Sequence, residues 1–226
     1  MTHKRLALAF ASALVLLLTA FRMAWPAFAY SIRDEDEAKR TYAYVLTYLT
    51  VVTAWVALGL TLFAPWLVDL LAAPRFAQSY EVVGPLAFAA VAFAAYIVVA
   101  IGVGRVRRTQ FNWVVTGAAA IVNVALNLAL IPPYGMVGAA IATVAAYVTM
   151  AVGMAWWSQR IYPVPYQWRR VVTAAAAAVG LAVLGKAIDV GFGGALALCV
   201  AYRLALAVLG FTSAEERRRL GRLVTR

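Results

Sequence analysis

The sequence predicts an all-α fold, a polytopic membrane helix bundle of about seven transmembrane helices. Three observations carry this expectation. Hydrophobic residues make up 65% of the chain and mean hydropathy is +0.84, whereas soluble domains run nearer to half apolar. The apolar residues fall into runs of about 20, the length a helix needs to cross a bilayer core of about 30 Å. Charges and turn formers collect in the breaks between runs, and the alternating segments of a transmembrane β-barrel do not occur.

Taken in order, the first run is Leu6–Tyr30, closed by Asp34-Glu35-Asp36-Glu37. The second is Tyr42–Leu71, closed by Pro74-Arg75. The third is Val82–Val103, followed by Arg105 and Arg107-Arg108. The fourth, Trp113–Ile131, and the fifth, Met136–Trp157, are divided by Pro132-Pro133-Tyr134-Gly135, a strong turn signal. The stretch from Tyr162 to Arg170 leads to the sixth, Val171–Ile188, and Lys186 to Asp189 leads to the seventh, Gly191–Phe211. The last break is the weakest, because Gly191 to Gly194 leaves almost no loop. Trp156, Trp157, Tyr162, Tyr166 and Trp168 gather beside one break, as an interfacial aromatic belt does.

The net charge of +11 does not point to nucleic acid, because Lys and Arg lie between apolar runs rather than on one amphipathic face. There they set topology and meet anionic membrane lipids. Seven runs place fourteen basic residues on one side (Arg33 to Arg40, Arg105 to Arg108, Arg160 to Arg170, Arg217 to Arg226) and four on the other (Lys4, Arg5, Arg75, Lys186). That bias predicts a multi-pass inner-membrane protein with its C-terminus in the cytoplasm and its N-terminus outside. Lys4 and Arg5 sit badly with an outside N-terminus, and an odd number of helices upstream relieves the conflict. The alternative is a cleavable signal peptide ending near Ala27-Phe28-Ala29, interrupted by Arg22 and Pro26. That reading inverts every later loop.

Candidate functional residues are few. Arg22 lies inside the first run and cannot shed its proton. It either faces a cavity, where it can hold a phosphate or pyrophosphate, or snorkels to the interface. Pro26 lacks a backbone donor and marks a hinge or a helix end. Asn123 and Asn127 share one helix face and serve as lumen-lining amides or as helix glue. Small residues from Gly138 through Ala142 to Ala146, and from Ala174 to Ala178, read as close helix packing. Arg203, in the last run, reads as snorkelling towards the basic tail. Asp34-Glu35-Asp36 contains a DxD pattern, the one feature that favours a membrane-embedded glycosyl- or acyltransferase, but beside Arg33, Lys39 and Arg40 it reads foremost as a solvated, salt-linked loop. His3 and Cys199 are the sole histidine and cysteine, so no His/Cys metal cluster or disulfide is expected, and no cofactor either. No acidic residue falls mid-span, and no nucleophile–base set occurs, so catalysis is not expected.

Asn123-Val-Ala-Leu-Asn127-Leu-Ala-Leu-Ile-Pro132 and Tyr134-Gly135-Met-Val-Gly138-Ala-Ala-Ile-Ala-Thr143 resemble the helix–turn–helix of polysaccharide biosynthesis proteins. These are the oligosaccharide flippases of the multidrug/oligosaccharidyl-lipid/polysaccharide exporter superfamily. Phe63-Ala-Pro-Trp-Leu-Val-Asp-Leu-Leu71 and Tyr162-Pro-Val-Pro-Tyr166-Gln-Trp168-Arg look like the same family. The resemblance implies two six-helix lobes around a cavity, with two added C-terminal helices. It implies a C-terminal lobe over 1–158 and the two added helices with a basic tail over 159–226. The implied substrate is a lipid-linked oligosaccharide of the undecaprenyl pyrophosphate type, with Arg22 as the cavity arginine. A separate N-terminal lobe is the implied partner, and a non-functional truncated fragment is the bland alternative.

Overall fold

The computed structural model describes residues 19–71 and 80–208. The start of the first predicted run, the Pro74-Arg75 break and the arginines of the C-terminal tail lie outside the described residues. Among the described residues every regular element is a helix. They are α1 (19–31), α2 (Glu35–Leu71), α3 (Tyr80–Arg105), α4 (Gln110–Ile161), α5 (Trp168–Ala187) and α6 (Phe192–Val208). Four of them, α2 to α5, are long and apolar enough to cross a membrane, and α6 is a shorter apolar helix.

α2 begins well before the predicted Tyr42, and its cap explains why. The Asp34 side chain accepts a hydrogen bond from the Glu37 backbone N–H at 2.7 Å, satisfying one donor of the first turn. Glu35, Asp36 and Glu37 follow in that turn, where the helix dipole favours negative charge. The DxD pattern is thus a helix start. Along α2 the buried hydroxyls of Thr47, Thr50, Thr53 and Thr61 donate back to the carbonyls of Ala43, Leu46, Leu49 and Ala57. Their polarity is consumed inside the helix, as an apolar surround requires.

α4, at 52 residues, would be about 78 Å long if straight. It is not straight. Phe111 packs on Trp157 with ring centroids 3.9 Å apart. A Cβ at Gly153 would meet Val115 at 3.3 Å, and one at Gly138 would meet the Leu130 carbonyl oxygen. Each pair is symmetric about Tyr134, so α4 is an antiparallel hairpin of two arms. The fold-back occurs at Gly135, whose φ of 54° and ψ of −130° suit the first central position of a type II′ turn. Pro132 and Pro133 precede it, as the sequence predicts.

α3 and α5 end in matching left-handed caps. Arg107 has φ 57°, with Arg107 N–H donating to Gly104 and Arg108 N–H to Val103. Asp189 has φ 45°, with Asp189 N–H donating to Lys186 and Val190 N–H to Gly185. Both are Schellman motifs, and both lack the glycine that this position favours. The Asp189 cap turns the chain straight into α6, which is why so little loop is needed there. Arg107→Gly should raise stability by about 1 kcal/mol, because the left-handed conformation costs a non-glycine residue about that much. Thermal unfolding in detergent reads this as a higher Tm, and an unchanged or lower Tm refutes it.

The core is organised on α2. Ala54 and Ala57 meet Ala174, Ala178 and Ala182 of α5 and Ala195 of α6, an interface of small side chains that lets backbones approach closely. Trp55 Nε1 donates to the Cys199 carbonyl of α6 at 3.0 Å, and the buried Tyr202 hydroxyl donates to the Ala174 carbonyl of α5 at 3.2 Å. On its other flank α2 packs on α3, and α3 on the α4 hairpin, so all the α1–α2, α3–α4 and α4–α5 connections lie at one end of the bundle.

Candidate functional site

That end carries the basic residues. Arg33, Lys39, Arg40, Arg105, Arg107, Arg108, Arg160, Arg169 and Arg170 all lie at it, while Lys186 is at the other. Arg105, in the last turn of α3, makes the densest polar site among the described residues. Its Nε donates to Glu35 Oε1 at 2.8 Å. Its Nη1 donates to the Ala29 carbonyl at 3.2 Å and to the Tyr42 hydroxyl at 2.9 Å, and its Nη2 to the Ile32 carbonyl at 2.8 Å. Ala29 is near the end of α1 and Ile32 just past it, so the guanidinium supplies donors that α1 lacks at its C-terminus. The Tyr42 hydroxyl also donates to the Ala29 carbonyl at 2.7 Å.

Glu35 ties in a fourth element. The hydroxyl of Tyr162, the residue that caps α4, donates to Glu35 Oε2 at 2.5 Å. Burial, and then the bond to Glu35, push the Tyr162 phenol above its usual range, so it stays a donor. Lys39 lies 5.2 Å from the centre of the Tyr162 ring. Two glycines of α3 make room: a Cβ at Gly102 would crowd Ser158 and Tyr162, and one at Gly104 would strike the Tyr30 hydroxyl. Arg105 and Glu35 therefore clasp the ends of α1, α2, α3 and α4 together. Most of the guanidinium's donors are used within the protein, which makes it a positioning group rather than an open ligand site.

Sequence reasoning did not find this clasp. Its one signal was an arginine in the last turn of an apolar run, and nothing in the sequence joins it to a glutamate 70 positions away. The predicted aromatic belt divides in the same region. Trp156 and Trp168 are exposed as a belt requires, whereas Tyr162 and Tyr166 are buried.

The residues singled out from sequence are dispersed. Arg22 is exposed on α1, beside the inward ridge of Phe21, Trp25 and Ala29, and makes no hydrogen bond or ion pair among the described residues. Pro26 lies four residues on, half-buried, with α1 continuing through it to residue 31. Pro26 can offer no N–H to the Arg22 carbonyl, so a charge and an unsupported carbonyl meet in one turn of an apolar helix. Asn123 and Asn127 are half-buried on the first arm of α4, and Asn127 Nδ2 donates to Asn123 Oδ1 at 2.9 Å. No hydrogen bond or ion pair joins Arg22 to either asparagine. No metal-holding group of His, Cys, Asp or Glu occurs among the described residues. No family model matches the chain, and no curated protein matches it.

Proposed function

We propose that the chain is the C-terminal portion of a flippase that moves lipid-linked oligosaccharide across a bacterial inner membrane. The residues around the α4 turn that resemble such transporters support this reading, and one observation carries it. Arg22 presents an exposed guanidinium with no partner among the described residues, on a helix otherwise suited to lipid, and Pro26 offers its carbonyl no donor. Placing that charge in hydrocarbon costs about 2.5–3.5 kcal/mol on insertion scales. A hydrated cavity, walled on its other side by an N-terminal lobe, removes the cost. A pyrophosphate there pairs with the guanidinium in bidentate fashion. In this reading α1, both arms of α4 and α6 all cross, giving seven spans, and the basic end is cytoplasmic.

Cysteine at position 22, in a Cys199→Ala background, tests the reading. A water-soluble thiol reagent, applied to open membrane fragments so that both faces are reached, should label it as readily as cysteine at the exposed Arg40, and far more than cysteine at the exposed, apolar Leu196. Labelling at position 22 no greater than at 196 would sink the cavity role. Arg22→Ala should also reduce polymer export more than tenfold at unchanged membrane abundance, a loss of about 1.4 kcal/mol or more.

A further inference from the structure

The connector between α4 and α5, residues 162–167, is threaded into the basic end of the bundle. Tyr162, Val164 and Tyr166 are buried, while Pro163 and Pro165 between them are exposed. Its backbone is well served. The N–H groups of Tyr162, Val164 and Tyr166 donate to the Ser158 carbonyl, the Gln159 side chain and the Val164 carbonyl, and Gln159 Nε2 donates back to the Val164 carbonyl at 2.7 Å. The two prolines have no N–H to satisfy. The Tyr166 hydroxyl is the exception. The residue is 7% exposed, and its oxygen has no hydrogen-bond partner among the described residues.

Ser158, in the last turn of α4, has the same deficit. It is fully buried, and its hydroxyl has no partner among the described residues. A helical hydroxyl has an acceptor ready in the carbonyl four residues back. Thr47, Thr50, Thr53, Thr61, Thr143 and Thr149 all take it, whereas Ser158 leaves the Met154 carbonyl alone. Its hydroxyl lies instead against α3, where a Cβ at Gly102 would meet Ser158 Oγ at 2.7 Å and the Tyr162 ring at 3.1 Å. Ser158 and Tyr162 therefore sit side by side over Gly102. The Tyr166 phenol is close enough to interact electrostatically with those of Tyr162 and Tyr42. Two donors without acceptors thus adjoin Tyr162, whose oxygen donates to Glu35 and accepts no hydrogen bond among the described residues.

We infer that one ordered water is bound here, accepting from Tyr166 and Ser158 and donating to the Tyr162 oxygen. Buried waters typically make about three hydrogen bonds to polar groups that the protein leaves unmatched, and these three oxygens supply them. A bond received by the Tyr162 oxygen polarises its O–H and strengthens the donation to Glu35. Tyr166 and Ser158 are thus positioning residues for the clasp, acting on it through the water. The site does not depend on the transport reading.

A high-resolution structure of the purified full-length chain and thermal unfolding in detergent test it together. The structure should show one water about 2.8 Å from all three oxygens. Tyr166→Phe and Ser158→Ala should each lower Tm by about 2–4 °C, and the double variant by little more than the larger single loss, because one water serves both. A protein acceptor on either hydroxyl in place of water would overturn the proposal. So would additive losses in the double variant, or a rise in Tm for Tyr166→Phe, the result for a hydroxyl buried without a ligand.

Discussion

Arg105→Ala should lower the unfolding free energy by about 2–4 kcal/mol, because several hydrogen bonds from one charged group are lost and the carbonyls they served are left short of donors. The Arg105 side chain is 13% exposed, so water does not readily replace it, and the Ile32 carbonyl bears most of the loss, because the Ala29 carbonyl keeps the Tyr42 hydroxyl. Glu35 bears less: at 56% exposure its freed carboxylate returns to water, and an exposed ion pair is itself worth under about 1 kcal/mol. The order of variants separates fork from charge. Arg105→Lys keeps the charge but cannot reach four acceptors in one plane, and should fall closer to Arg105→Ala than to the parent. Glu35→Gln keeps an acceptor for Nε and should cost least. Thermal unfolding in detergent, followed by helical circular dichroism, gives the order. Arg105→Lys matching the parent would mean that charge alone holds the four helix ends.

The clasp also marks what the sequence could and could not disclose. Helices were legible because lipid imposes a length on apolar runs and expels charge and turn residues to their ends. Hence the cores of α2 to α5 fall where hydropathy puts them, and the α4 fold-back falls at the Pro132–Gly135 signal. Boundaries set by chemistry other than hydropathy were missed, as at Asp34, where a side-chain cap starts α2 in a charged stretch. Pairings were missed for a different reason. Arg105, Glu35 and Tyr162 meet because three helix ends converge, and convergence is a property of packing that no local spacing encodes. Arg22 shows the converse. A charge in an apolar run is conspicuous in sequence, yet its surroundings depend on what lies across from α1. Asn123 and Asn127 fall between: their spacing of four predicted a shared face, and they bond to each other on it.

Glycine-to-alanine substitutions should have opposite signs at two pairs of sites, and the contrast tests the hairpin directly. At Gly138 an added Cβ would strike the Leu130 carbonyl oxygen and lie 2.6 Å from its carbon. Those atoms are backbone in the facing arm, so relief requires the arms to part, and overpacking of that kind costs about 1–3 kcal/mol. At Gly135 nothing lies within 4 Å of an added Cβ, but φ of 54° with ψ of −130° is strained for any L side chain, by about 1–3 kcal/mol. Gly117 and Gly180 are helical with open space around the Cβ position, so alanine there only restricts the unfolded chain and favours helix, a gain of about 0.5–1 kcal/mol. The four single variants add the same methyl group, so the spread reports the surroundings each methyl meets, buried at Gly138 and exposed at the other three. Gly138→Ala and Gly135→Ala should unfold below the parent and Gly117→Ala and Gly180→Ala above it. Were Gly138→Ala to match Gly117→Ala, the arms could not approach as Leu130 and Gly138 do, and α4 would have to be open at its turn.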